Sequence, residues 1–128
     1  MTPATPVTPT TPATPLRPGT AARLSILLHA DAYWHHHPVS DEIIQRALRA
    51  GLAGASRFAG IEGYGSSGIL HTDIDPDIMS DLPCEVVIVD PSAERVQAFL
   101  PQVEEILDHG LITLDTVEVA MVNRPAPD

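Results

Sequence analysis

The sequence contains no lysine. Its seven positive side chains are all arginines, they face 17 acids, and the formal charge is −10. Arg17 and Arg23 lie in or beside the N-terminal segment, so five arginines remain against the same 17 acids from Leu24 onward, which is −12. Such a surface repels phosphate backbones and argues against a nucleic-acid partner. Aromatic residues are also scarce, at 4%. The core must therefore be built from Val, Leu, Ile and Ala. One cysteine, Cys84, excludes an intrachain disulfide and fits a reducing compartment, so a cytoplasmic protein is expected. No apolar run approaches the roughly 18 residues of a membrane span. No basic segment followed by an apolar one opens the chain, so no signal peptide is expected.

What the chain does have is glycine concentrated in one place. Residues 51–71 hold six of the eight glycines. Glycine at this density weakens a strand, which points to unusual backbone angles, a close chain crossing or a ligand against bare backbone. Proline is concentrated too. Pro3, Pro6, Pro9, Pro12, Pro15 and Pro18 recur at every third position, with Thr and Ala filling most of the gaps. Polyproline II has three residues per turn, so these prolines would line one edge of a solvated strand. Residues 1–21 are expected to be a disordered Thr/Pro-rich tail, residues 22–122 the domain and residues 123–128 a frayed end.

Hydrophobic periodicity gives the elements of that domain. A first strand over 23–30 buries Leu24, Ile26 and Leu28 and turns Ser25, Leu27 and His29 the other way. A first helix is expected from an N-cap at Ser40, with Ile44, Ala47, Leu48 and Gly51 as its core stripe and Gly51 as a left-handed stop. A second strand covers residues 55–65, and an aspartate-rich loop covers 66–82. A third strand, 84–90, is apolar on both faces and therefore central. A second helix is expected with Asp90 as N-cap, Pro91 at the first helical position, a kink at Pro101 and a stop at Gly110. A fourth strand covers 113–122. The order β-α-β-β-α-β defines an α+β, ferredoxin-like sandwich with a four-stranded antiparallel sheet and both helices on one face. Leu27, Val87, Val89 and Val122 could occupy the uncovered face, so self-association is expected.

Four constellations carry chemistry. Gly63-Tyr64-Gly65-Ser66-Ser67-Gly68 spells G-x-G-x-x-G, but no helical period follows to hold a pyrophosphate. Two readings remain: plain bend-forming glycine, and a glycine-lined loop base that meets an anion through backbone N–H groups. Asp73-x-Asp75-x-Asp77 resembles a calcium loop, yet Ile78 and Cys84 stand where that loop needs Gly and Glu. His35, His36 and His37, with His29 and Asp31 nearby, suit a transition metal if a loop lets them converge. Cys84 and His71 could pair as nucleophile and base, although nothing local orients them.

The series Trp34…Pro38, Gly51-Leu52-Ala53-Gly54-Ala55, Gly60-Ile61-Glu62-Gly63-Tyr64-Gly65, Ile69-Leu70-His71-Thr72, Asp81-Leu82-Pro83, Val89-Asp90, Phe99-Leu100-Pro101 and Gly110-Leu111-Ile112-Thr113 resembles the small branch of PII-like signalling proteins. The resemblance spans about residues 22–122. It implies a ferredoxin-like subunit, usually a homotrimer, with a flexible loop between strands two and three. Nitrogen-regulatory relatives bind adenine nucleotides between subunits and use that loop to touch transporters or enzymes. Those relatives place basic residues after helix two, where this chain has Asp108-His109-Gly110-Leu111. Arg57 is the cation nearest the glycine stretch in sequence. The expectation is a non-enzymatic sensor that needs no cofactor. It would bind a small anionic ligand or nucleotide at Arg57, Gly60, Gly63, Gly65, Ser66, Ser67, Gly68 and His71, and signal through residues 66–82 to a transporter, channel or enzyme. The alternative is a metal-binding protein using His29, His35, His36 and His37, akin to ferredoxin-like divalent-ion-tolerance proteins. An enzyme of unknown chemistry is the third reading.

Overall fold

The computed structural model describes residues 13–72 and 82–123. The Asp73-x-Asp75-x-Asp77 run, the first twelve residues of the tail and residues 124–128 lie outside the described residues. The elements are β1 (Gly19–His29), β2 (Tyr33–Trp34), β3 (His37–Pro38), α1 (Val39–Arg49), β4 (Gly54–Ala59), β5 (Glu62–Gly63), β6 (His71–Thr72), β7 (Pro83–Asp90), α2 (Ala93–Ile106) and β8 (Leu111–Val119). The main sheet has the order β4-β7-β1-β8, with every neighbouring pair antiparallel. This is the ferredoxin-like α+β sandwich. Helix α1 packs on β4 and β7, and α2 packs on β1 and β7.

Alternation in the two central strands sets the core. Leu24, Ile26 and Leu28 of β1 and Cys84, Val86 and Ile88 of β7 are buried against Val39, Ile43 and Ala47 of α1 and Val96, Phe99, Val103 and Ile106 of α2. Burying each Leu, Ile or Val side chain contributes roughly 1.5–3 kcal/mol before entropy is counted. The other sheet face has no covering layer within the described residues. Residues paired across an antiparallel sheet share a face, so the register Phe58↔Glu85↔Leu27↔Leu111 is one row of that bare face. Phe58 is 55% exposed, Leu27 43% and Leu111 55%.

The helix ends differ from the sequence expectation in instructive ways. Pro38, not Ser40, occupies the N-cap of α1, without a side-chain cap bond. Ser40 is instead buried in the first turn, and its Oγ accepts from Arg57 Nη1 at 3.3 Å. The core stripe correspondingly centres on Ile43 and Ala47, with Ile44 only packed against it. The α1 stop is as expected. Gly51 has φ +76°, its N–H donates to Leu48, and the N–H of Leu52 donates to Ala47. Those two bonds make a Schellman motif, sealed by the buried Leu52.

Ser92, not Asp90, caps α2, with its Oγ accepting from the Arg95 N–H at 3.2 Å. Asp90 is fully buried at the end of β7. Its carboxylate accepts from Ala53 N–H and from Ser92 N–H, each at 2.9 Å, tying the α1–β4 turn to the start of α2. Helix α2 runs unbroken through Pro101 and ends at Ile106, before Gly110, because Leu107 is extended. The fourth strand starts at Leu111 and stops at Val119, so Val122 lies beyond it.

The first strand begins at Gly19, inside the segment expected to be tail. Ala21 and Ala22 are buried, and Thr14 N–H donates to Gly51 O at 2.9 Å. Strand pairing and this bond hold residues that composition alone marks as leader.

Candidate functional site

At the end of the sheet where β4 finishes and β7 begins, the chain leaves an open cleft of about 720 Å³. One wall is the bare-face row of Leu27, Phe58, Glu85 and Leu111. A second is the small β5–β6 hairpin, paired Glu62↔Thr72 and Gly63↔His71. A third is the turn after α2, His109 and Gly110.

Two glycines make this packing possible. A Cβ on Gly60 would stand 2.6 Å from Pro83 Cγ and 3.0 Å from Pro83 O, the same carbonyl that accepts the Gly60 N–H at 2.8 Å. A Cβ on Gly110 would stand 2.6 Å from the carbonyl oxygen of Leu27. The first contact folds the hairpin over β7, and the second presses the α2–β8 turn onto β1. Gly65 is different. Among the described residues, beyond its chain neighbours, no atom lies within 4 Å of where its Cβ would stand, so this position borders open space. Gly65 O accepts from Gly68 N–H at 2.9 Å, closing a turn in which Gly68 takes φ +72°.

Five of the eight expected site residues line the cleft: Gly60, Gly63, Gly65, Ser66 and His71. Ser67 and Gly68 lie just past it in the turn, where Ser67 Oγ accepts from Ile69 N–H at 3.3 Å. Arg57 is on the opposite face of the sheet. It pairs across strands with the buried Val86 and donates to Ser40 beneath α1. One-residue alternation along β4 sends Phe58 to the cleft and Arg57 away from it.

The cleft instead gathers three histidines from distant parts of the chain. His29 ends β1, His71 lies in β6 and His109 follows α2. The rings of His29 and His71 meet edge to face with centroids 6.0 Å apart. Among the described residues of the lining, Glu62 and Glu85 are the carboxylates and there is no arginine. The surface can therefore meet a small ligand with imidazoles, backbone amides and an apolar wall holding Phe58 and Tyr64. Sequence reading missed His109, Phe58, Tyr64, Glu62 and Glu85 at this site. The outward alternation of Leu27, Val87 and Val89 signalled that this face was open.

Cys84 is buried at 4% exposure, and it too lines the cleft. The His35–His37 run does not converge as a metal site. His35 and His36 have φ +48° and +69° and form the two-residue turn between β2 and β3, flanked by the pair Trp34↔His37. Positive φ at both central residues is the geometry of a type I′ hairpin. The His35 ring lies against Trp34 at 4.2 Å, and the Arg46 guanidinium covers Trp34 at 4.9 Å. Among the described residues no group of three or more His, Cys, Asp or Glu side chains is arranged to hold a metal ion. No helix of the described residues is long and apolar enough to cross a membrane.

A ferredoxin-like subunit of this topology, with a cleft at the root of the β4–β7 connection, has the fold of the PII-like proteins. A Thermus thermophilus structure assigned as PII-like signaling is 15% identical, with a TM-score of 0.57 over 82% of this chain and 94% of that one. CPII, a nitrogen regulatory PII-like protein from Thiomonas intermedia K12 solved with ADP, AMP and bicarbonate, is 17% identical. Its TM-score is 0.54 over 82% of this chain and 100% of that one. The DUF190 family, described as "Uncharacterized ACR", matches residues 21–119, and the chain belongs to it. A UPF0166 protein of Aquifex aeolicus (strain VF5) is 33% identical over 96 residues, 75% of this chain and 90% of that protein.

Proposed function

We propose that this protein is a non-enzymatic, cytoplasmic regulator of the PII-like kind that binds a small anionic ligand in the 720 Å³ cleft. The observation that carries the reading is the position of that cleft. It lies at the root of residues 66–82, so a ligand there biases the arrangement of the segment that follows Gly65. Its volume is within the usual range of small-molecule sites, roughly 300–1,000 Å³. CPII, with the same fold, is solved with ADP, AMP and bicarbonate. Imidazoles and backbone N–H groups, with no guanidinium group among the described lining residues, suit an anion of low charge, such as bicarbonate or a nucleoside monophosphate, better than a triphosphate. Three copies associate through the bare sheet faces, where Phe58, Leu27 and Leu111 are exposed in a row that also holds Glu85. The signal passes through residues 66–82 to a transporter, channel or enzyme.

Calorimetric titration with AMP, ADP and bicarbonate tests the ligand. Binding of one of them at micromolar to low-millimolar concentration supports the reading, and heats of dilution alone for all three reject it. Light scattering tests the assembly: the expected mass is three times the 13.7 kDa of one chain.

A further inference from the structure

The Thr/Pro leader ends in a contact that the ligand site does not use. Thr-Pro recurs five times, at Thr2, Thr5, Thr8, Thr11 and Thr14. Thr14 is the one of these within the described residues, and it is docked at the sheet end opposite the cleft. Its N–H donates to Gly51 O at 2.9 Å. Arg95 Nη1 donates to its Oγ1, while Arg95 Nη2 donates to the same Gly51 carbonyl at 2.7 Å. Arg95 Nη2 also stands 3.6 Å from the buried carboxylate of Asp90. One guanidinium thus clasps the leader, the end of α1 and the end of β7 together.

We propose that Thr14 is a phosphorylation site and that Arg95 is the group that reads the phosphate. A serine/threonine kinase that recognises Thr-Pro would transfer the γ-phosphoryl group of ATP to Oγ1. The new Oγ1–P bond forms as the bond from the γ-phosphorus to the β,γ-bridging oxygen breaks. ADP leaves with that electron pair, and the hydroxyl proton goes to the kinase's carboxylate base.

The acceptor is suitably placed. Thr14 is half-buried, its neighbours Ala13 and Pro15 are exposed, and residues 13–17 have no ladder pairing. The reader is suitably placed as well. The Arg95 side chain is 39% exposed, so it has room to turn a neutral hydroxyl contact into a pair with phosphate oxygens. Charge-assisted bonds of this kind are roughly twice as strong as neutral ones. Asp90 does not need Arg95 to stay satisfied, because both its oxygens already accept backbone N–H bonds. Arg17 follows three residues on in the sequence, and the carboxylates of Asp90 and of Glu94, next in the chain to Arg95, are the opposing acids. The modification replaces a neutral hydroxyl contact with a charged pair that holds the strap more firmly.

The test uses the full chain, its folded state checked by circular dichroism. A Thr-Pro-directed kinase and ATP are added, the modified residues are mapped by mass spectrometry, and amide hydrogen exchange is read at Thr14. The expected result is phosphate on Thr14 and exchange of the Thr14 N–H slowed about tenfold. Arg95→Gln, phosphorylated equally, shows no slowing, and Arg95→Lys recovers part of it. The proposal is overturned if Thr14 stays unmodified while other threonines of the leader are modified. It is equally overturned if phosphorylated wild type exchanges at the same rate or faster, or if Arg95→Gln slows as much as wild type.

Discussion

Replacing Gly110 with Ala adds one methyl group where the structure has no room for it. The new Cβ would lie 2.6 Å from the Leu27 carbonyl oxygen and 3.0 Å from Leu107 Cδ2. Leu107 can rotate, but Leu27 cannot retreat. It belongs to a central strand held on one side by β7 and on the other by β8. Relief requires the turn to lift from β1, shifting His109 and Leu111 in the cleft and loosening the start of β8. Overpacking of this kind costs about 1–3 kcal/mol. Taking about 2 kcal/mol and about 4–8 °C per kcal/mol for a domain near 100 residues, the melting temperature should fall by roughly 8–16 °C. Calorimetry at one fixed protein concentration reads the shift, since association makes melting concentration-dependent. Gly65→Ala is the matched control. Its Cβ meets nothing within 4 Å among the described residues and its φ is not positive, so stability should change by less than about 1 kcal/mol, if anything upward. Equal losses in the two variants, or an unchanged Gly110→Ala, would refute the account of how this wall of the cleft is built.

Three further outcomes follow from the same geometry. Gly65→Val should keep the wild-type melting temperature within a few degrees yet weaken ADP or bicarbonate binding at least about tenfold, because the side chain enters the cleft without touching the core. Unchanged affinity in a folded variant would remove residue 65 from the site. His36→Gly should raise stability by about 0.5–1 kcal/mol in urea unfolding, since a residue at φ +69° loses its strain; a loss would show that the imidazole itself matters. The hydrogen bond and charge of Arg23 hold Asp115 below its ordinary carboxylate range. A lowered folded pKa stabilises above the unfolded value and loses that contribution as pH falls through the folded one. Asp115→Asn should therefore flatten the stability profile below about pH 4. An equally steep profile would mean this exposed pair is screened out.

Much of this fold is legible in local pattern, and the reasons for the exceptions are physical. Leu24, Ile26 and Leu28 alternate with polar residues or outward-facing ones and are buried, and Gly51 stops α1 as its lack of a side chain permits. The caps depart from the pattern because Ser40 and Asp90 have the right chemistry for capping but are needed elsewhere. Ser40 faces Arg57 under the helix, and Asp90 collects two backbone amides from separate turns. Neither demand is visible in neighbouring residues. The site is legible only along the chain, so the glycine run stands out but its partners do not. His29 and His109 reach the cleft because β1 and β8 are adjacent, a fact of topology rather than spacing. Arg57 misleads for the opposite reason, since a single step of strand alternation carries it to the other face. The histidine triplet looks like chemistry, but His35 and His36 are the positive-φ corner of a hairpin, and the His35 ring lies against Trp34.

In the proposed function, the ligand sits in the cleft at the root of residues 66–82. Amide chemical-shift mapping during titration of the labelled full chain with ADP and bicarbonate tests it most directly. The largest shifts are expected at Gly60, Gly63, Gly65, Ser66, His71 and His109, with little change at Gly51, Asp90 or Arg95 at the far end of the sheet. Saturable shifts centred on that far end, or on the Trp34–His37 hairpin, with the cleft unchanged would contradict it.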